Sequence, residues 1–138
     1  MSTIKNREEW AKAVAEELPT ICDGFERLRY IPAGWHDVVY AALTKIEEVA
    51  VANNLKTKVA QIKEKDGGLA FYVDNSTSEV DTIVEKAVTS CYHTCEKCGK
   101  YGMIRSDIGW YQTLCEDHYM VQKRKDPIWR AEQEWKNK

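Results

Sequence analysis

The chain has no apolar run close to the roughly 18 residues that a membrane-spanning helix needs, which excludes an integral helical membrane protein. Its first ten residues, Met1 to Trp10, are charged and lack the apolar stretch of a signal peptide, so the expectation is residence in the cytoplasm, away from membranes. No charge sign dominates: 20 Lys and Arg stand against 22 Asp and Glu, a formal net charge of -2. That balance is too even for non-specific binding to phosphates. Internal repeats and low-complexity stretches are absent. The five cysteines are an odd number, and three of them have metal spacing, so a secreted disulfide scaffold is a poor explanation of them.

Histidine is also scarce, with three in 138 residues. What is present is a pair of pairs: Cys95-Glu96-Lys97-Cys98-Gly99 and, after sixteen intervening residues, Cys115-Glu116-Asp117-His118. Cys95, Cys98, Cys115 and His118 offer three thiolates and an imidazole, the tetrahedral soft-ligand set that one Zn2+ prefers and that leaves no coordination position open for chemistry. The site is therefore read as structural. His93 or Cys91, just upstream, is the alternative source of one ligand. No histidine lies between the two pairs, so the general base of a histidine-asparagine-histidine nuclease is missing. The His-x-Glu and Pro-Cys-x-x-Cys elements of a zinc nucleobase deaminase are missing too. The expectation is a protein without catalytic residues.

With 43% hydrophobic and 30% charged residues, the composition is that of a globular protein long enough to bury a core. Asn6 with Glu9 resembles a capping box, and Trp10, Ala13, Val14 and Leu18 recur at helical spacing until Pro19. Residues 19–34 hold two of the three prolines and read as a long connection with a short extended piece over Leu28 to Ile31. From Trp35, the positions Val39, Ala42, Leu43, Ile46, Val49 and Ala50 predict a second helix, opened by Gly34 and closed by Asn53-Asn54. The period then changes to two: residues 57–74 predict a hairpin reversing at Asp66-Gly67-Gly68, with Leu69, Phe71 and Val73 on one face and Ala70 and Tyr72 on the other. Ser76 and Glu79 open a third helix whose apolar stripe ends at a buried Cys91.

Within the cysteine segment, Cys98-Gly99 has the form of a zinc knuckle. Tyr101 to Ile104 and Gly109 to Leu114 predict two short strands, and Cys115 and His118 fall in the first turn of a helix. Knuckle, hairpin and ligand-bearing helix in that order resemble a treble-clef zinc finger. Asp126-Pro127 supplies an N-cap and a first-turn proline for a final helix, and Trp110, Trp129 and Trp135 are expected to pack around the small module. The fold class is thus α+β: helices packed on a β-hairpin in residues 1–94, followed in residues 95–138 by a zinc module and C-terminal helix packed on the first part.

Charge divides the same way, with 11 basic against 15 acidic residues in 1–94 and 9 against 7 in 95–138. A zinc-loaded Cys3His site adds -1 to the second segment. Lys63 and Lys65 on the predicted hairpin, and Lys123, Arg124, Lys125 and Arg130 near the C-terminus, are the candidate contacts to nucleic acid or another partner. Solvated faces are the plainer reading of both groups.

Three segments carry a resemblance: Gly34-Trp35 opening a helix, Gln61 to Tyr72 (QIKEKDGGLAFY), and Cys95 to Gly99 with Thr113-Leu114-Cys115. Over residues 31–121 the chain resembles small proteins encoded in tailed-phage and prophage genomes, which have a KEK-aromatic-GGL-basic-FY hairpin and a C-terminal zinc module. Asp66 stands where that pattern has an aromatic residue, and Ala70 where it has arginine, so a binding role of those two positions does not carry over. The resemblance implies a phage origin, a metal-stabilised fold and an accessory role in the host cytoplasm, and brings no reaction with it. The functional expectation is a non-enzymatic binding protein that engages a host or phage macromolecule, with a protein as the partner. The alternatives are a nucleic-acid-binding zinc finger and a protein that binds or sequesters a small nucleotide-like ligand.

Overall fold

A computed structural model describes residues 6–137. Met1 to Lys5 and Lys138, the outermost residues of the two expected segments, lie outside the described residues. Among the described residues the fold is mixed: five α-helices and two separate two-stranded antiparallel sheets.

Helix α1 spans Arg7–Glu17, and its start is held by the Asn6 side chain, whose oxygen accepts from the amides of Glu8 (2.8 Å) and Glu9 (3.3 Å). Trp10, Ala11 and Val14 form its buried face. The expected extended piece at Leu28 to Ile31 is absent. Instead, a 3₁₀ turn at Glu26–Leu28 closes through Leu28 N–H to Phe25 O (3.0 Å), and Leu28 and Ile31 both reach the core. A second 3₁₀ turn, Ala33–Trp35, runs straight into helix α2, His36–Ala52. It replaces a side-chain cap by turning the amides of Trp35 and His36 back onto the carbonyls of Pro32 and Ala33.

The hairpin pairs β1 (Lys58–Lys65) with β2 (Gly68–Asp74), with Lys65 opposite Gly68. Asp66 (φ 51°) and Gly67 (φ 85°) both adopt the left-handed conformation, the backbone of a two-residue turn whose twist matches that of the strands. A bulge between Val59 and Gln61 shifts the register. Val59, Ile62, Leu69 and Phe71 face the core, while Tyr72 points to solvent, as period two requires. Helix α3, Ser78–Cys91, is capped by Thr77 rather than Ser76: the Val80 amide donates to Thr77 Oγ1 (3.3 Å). The helix packs on α2 and on β2 and buries Val80, Ala87 and Cys91. Burial pushes the Cys91 thiol up to about 12.

These elements enclose one core in which Trp10 stacks on the His36 imidazole, with centroids 3.9 Å apart and planes within 6°. Burial lowers the His36 pKa, so the ring is neutral in the core, within 3.2 Å of the Ile31 carbonyl.

Beyond α3 come β3 (Met103–Arg105) and β4 (Gln112–Leu114), then α4 (Glu116–Arg124) and α5 (Pro127–Lys136). The strands are shorter than expected because residues 106–111 form a loop anchored to α4 by its own contacts. Tyr119 Oη donates to Asp107 (2.6 Å), Lys123 Nζ lies 3.0 Å from the same carboxylate, and the Arg105 guanidinium stacks 4.2 Å from the Tyr119 ring. Asp126 caps α5 through the Ile128 amide (3.0 Å), with Pro127 in the first turn as expected. The tryptophans do not wrap the module: Trp110 is 55% and Trp135 77% exposed, and Trp129 is half-buried. Helix α5 follows α4 after a two-residue link, and its Ile128 and Trp135 are exposed.

Candidate metal site

Cys95 follows directly on the strand-like bridge between Thr94 and Tyr101 and opens a tight turn. The Cys95 amide donates to Lys100 O (2.7 Å), and the Gly99 amide, at φ 82°, donates to Cys95 O (2.9 Å). Only a residue free to adopt that φ closes the knuckle without strain, which is the physical meaning of Cys98-Gly99. The second pair comes from the start of α4. Cys115 is its N-cap, with Sγ accepting from the His118 amide (3.5 Å).

The turn and the helix start bring four ligand atoms within 4.8 Å of one another: the sulfurs of Cys95, Cys98 and Cys115 and a ring nitrogen of His118. Cys98 Sγ to Cys115 Sγ and Cys95 Sγ to His118 Nδ1 are each 3.7 Å, and Cys115 Sγ to His118 Nδ1 is 3.1 Å. A tetrahedron with metal–sulfur bonds of ~2.3 Å and metal–nitrogen bonds of ~2.0–2.1 Å has edges of roughly 3.6–3.8 Å. The donor spacing therefore suits one metal ion. Cys95 and Cys115 are buried, His118 is half-buried and Cys98 faces solvent. Burial raises the Cys115 thiol, but hydrogen bonds from the His118 amide and imidazole and from the neighbouring thiols outweigh it and bring the thiol down to about 7. The alternative ligands are not in the cluster. Cys91 belongs to the helical core, and His93 stacks on Tyr101 at a centroid distance of 6.3 Å.

The knuckle is seated on the rest of the chain at two glycine contacts. Gly34 lies so close that a Cβ there would fall 2.0 Å from the Cys95 carbonyl oxygen. The Gly34 amide donates to Glu96 O (2.9 Å), and Trp35 Nε1 donates to Thr94 O (2.7 Å). On the other side, the hairpin turn meets β4: Thr113 Oγ1 donates to Gly67 O (2.6 Å), and a Cβ on Gly67 would lie 3.0 Å from Ile104 Cδ1. Gly68 supports the Tyr92 ring, which a Cβ would approach to 2.7 Å. Gly34-Trp35 thus meets Cys95 to Gly99 directly, and Gly67 reaches it through Thr113 of β4, which also pairs with Glu96. Sequence reasoning sees them as separate motifs because nothing in their spacing announces that they meet.

Glu96 is the residue of the site whose burial the sequence conceals. Its place between two ligand cysteines suggests an exposed filler, yet it is buried: Oε1 accepts from Gln112 Nε2 (3.0 Å) and Oε2 from the Thr113 amide (3.4 Å). Burial raises its pKa against the opposing effect of the Gln112 bond, and the nearby Glu64 carboxylate adds to the rise.

The candidate basic contacts fall on separate elements. Lys63 and Lys65 are exposed or half-exposed on β1, and Arg124 and Lys125 are exposed at the end of α4. Lys123 departs from the solvated face expected of it, because Asp107 and the Tyr119 ring hold its ammonium. The Arg130 guanidinium donates to the Arg124 carbonyl. No helix among the described residues is long and apolar enough to cross a membrane. No protein-family model matches the chain, nor does any curated protein or solved structure.

Proposed function

We propose that this chain is a zinc-stabilised, non-enzymatic binding protein of phage origin that engages a host or phage protein in the bacterial cytoplasm. The observation that carries the reading is the closed ligand set. Three thiolates and one imidazole at tetrahedral spacing favour zinc among the available metals and leave no site for water or substrate, which supports a structural rather than a catalytic ion. The order knuckle, β3–β4 hairpin, ligand-bearing α4 supports a treble-clef arrangement for residues 95–138, packed on residues 1–94.

What the ion holds in place is a surface. Tyr101 (72% exposed), Trp110, Tyr111 (53% exposed) and Met103 project from the knuckle and the β3–β4 hairpin. Aromatic residues and methionine are the side chains that concentrate binding energy at protein interfaces. The resemblance to phage-encoded proteins supports an accessory role for that surface.

Single-stranded nucleic acid is the second reading, favoured by the same exposed rings, which stack on bases as readily as on a protein. Lys123 and Arg130 contribute little to it, being engaged within the chain. A small nucleotide-like ligand is the third, for which the groove lined by Arg27, Tyr30, Gln61 and Lys63 offers a ring and two cations.

The experiment is capture of partners from host lysate by zinc-loaded protein, with and without nuclease, followed by affinity measurement across a salt series on the wild type and on Trp110→Ala/Tyr111→Ala. A protein partner predicts nuclease-resistant capture, weak salt dependence and a loss of roughly 2 kcal/mol or more in the double variant at unchanged zinc content. Nuclease-sensitive capture with affinity falling steeply in salt would replace this reading with the nucleic-acid one.

A further inference from the structure

The three sulfurs of the ligand cluster are not equivalent. Cys95 is fully buried and Cys115 is 7% exposed, whereas Cys98 stands at the tip of the knuckle between Lys97 and Gly99, all three of them exposed. The remaining cysteines, Cys22 and Cys91, are enclosed in the helical core. Cys98 is therefore the one cysteine of the chain that a small molecule in solvent meets directly. Coordination to a cation would hold it as the thiolate, which is the nucleophilic form.

Cys98 also has a second sulfur beside it. Cys115 Sγ lies 3.7 Å away, while Cys95 Sγ is turned to the His118 ring, 3.7 Å from Nδ1. An accessible thiolate next to a second thiol is the arrangement in which oxidation of the first is resolved as a disulfide instead of proceeding to irreversible acids. The two residues come from different elements, the knuckle and the start of α4, so a bond between them spans the module and removes two ligands at once.

We propose that Cys98 and Cys115 form a redox switch that releases the metal when the protein meets hydrogen peroxide. The Cys98 thiolate attacks one peroxide oxygen. The O–O bond breaks, the other oxygen leaves as hydroxide and takes a proton from solvent, and Cys98 becomes a sulfenic acid. The Cys115 thiolate then attacks the Cys98 sulfur, the S–O bond breaks, and a second hydroxide leaves and takes a second proton. Two thiolates lose two electrons to become one disulfide, and one peroxide is reduced to two waters. Cys95 and His118 are too few to retain the ion. Residues 95–137, whose own apolar cluster is built on Cys95, Leu114 and Cys115, then lose their main hold. A thiol reductant reverses the exchange and restores the ligand set. The proposal rests on the metal reading of the site and not on the identity of any partner.

The test uses the full zinc-loaded chain, treated with a modest excess of hydrogen peroxide in the absence of oxygen. Released zinc is followed with a chromogenic chelator against an untreated control, and disulfides are mapped by mass spectrometry of peptides. Cys98→His keeps four zinc ligands and removes the thiol that the peroxide reaches. The expected result is one zinc released per Cys98–Cys115 disulfide, recovery of zinc content after dithiothreitol and added zinc, and release at least about tenfold slower from Cys98→His. Zinc-loaded wild type that keeps its ion in peroxide overturns the proposal. So does a disulfide that joins other cysteines, a release that dithiothreitol does not reverse, or a Cys98→His protein that releases zinc as fast as wild type. Should Cys98→His fail to load zinc, the wild-type disulfide map and its reversal decide alone. Wild type that binds no zinc before any treatment overturns the metal reading and this proposal with it, which separates that failure from failure of the switch alone.

Discussion

Residues 6–92 bury twenty-one apolar side chains in one continuous cluster, whereas residues 95–137 bury three, and two of those three are the cysteines Cys95 and Cys115. The first region is held by the hydrophobic effect, with Trp10, Trp35, Leu43, Ile46 and Ile62 at its centre. The second has almost no interior. Its strands are three residues each, its helices bury nothing completely, and most of its large apolar side chains face solvent. A segment so built stays ordered through the ligand cluster, the Asp107–Tyr119–Lys123 contacts and its seat on Gly34 and Gly67. The division of labour is physical: a core stabilises one region, whereas a metal and a docking contact stabilise the other.

The largest effect that separates the two regions comes from the metal. Chelation, or Cys98→Ser with its loss of a thiolate ligand, should release residues 95–137 while 6–92 stay folded, because structural zinc supplies apparent binding energies of about 10–16 kcal/mol in segments of this kind. Hydrogen exchange should report lost amide protection at Gly99, Gly102 and Tyr119 and retained protection along α2. Thiol labelling reads the same contrast. Cys95, Cys98 and Cys115 become reactive on chelation, while Cys22 and Cys91, each pushed up to about 12 by burial, stay silent until denaturant is added. Unchanged exchange in 95–137 after zinc removal would show that the docking contact suffices by itself.

A smaller effect tests the seat. Gly34→Ala sets a methyl group against the Cys95 and Glu96 backbone, which cannot move without opening the knuckle, so a loss of about 1–3 kcal/mol or more is expected. Gly68→Ala meets only the end of the Tyr92 side chain, which can swing into solvent, so its loss should be well under that of Gly34→Ala. Denaturant melts of both variants at matched zinc content measure the difference, and equal losses would argue against backbone contact as the constraint.

Periodicity made the helical core legible. The stripe Val39, Ala42, Leu43, Ile46 and Ala50 is buried as read, and the Asp66-Gly67 turn reverses the chain because that dipeptide accepts two successive left-handed residues. The donor set Cys95, Cys98, Cys115 and His118 was legible for a related reason, since ligands on a knuckle and on a helix start are short-range patterns. Long-range contacts were not. Leu28 and Ile31 look like a strand fragment, yet at a separation of three a strand would send them to opposite faces, whereas the chain path after the 3₁₀ turn lets both reach the core. Trp110 and Trp135 invite burial by their size, but a module without an interior has nowhere to put them. Lys123 reads as a solvated charge, and its engagement with Asp107 depends on a loop whose path no local signal predicts.

The smallest expected effect is that of Glu96→Gln, at the buried carboxyl that ties the knuckle to β4. Glu96→Ala removes the acceptors of Gln112 Nε2 and the Thr113 amide, and two buried donors left without partners should cost about 1–3 kcal/mol. Glu96→Gln keeps one acceptor and adds a donor, which the buried and otherwise unpartnered Gln112 Oε1 can receive. It also removes a charge whose burial the raised pKa reports as unfavourable. Because the folded-state pKa lies above the ordinary value of 4.5, the ionised form opposes folding, fully so above the folded pKa and not at all below the unfolded one. Relative to wild type, Glu96→Gln should therefore be neutral to slightly stabilising near pH 7. That difference should shrink as pH falls through the folded pKa and vanish below about 4.5, even though acid also weakens metal binding, because both proteins share the same ligands. Paired melts of wild type and Glu96→Gln across pH isolate the carboxyl from the metal. A Glu96→Gln protein as unstable as Glu96→Ala at neutral pH would mean that the ionised carboxylate itself holds Gln112 and the Thr113 amide, and the tie between the knuckle and β4 would then have to be counted as charge-assisted.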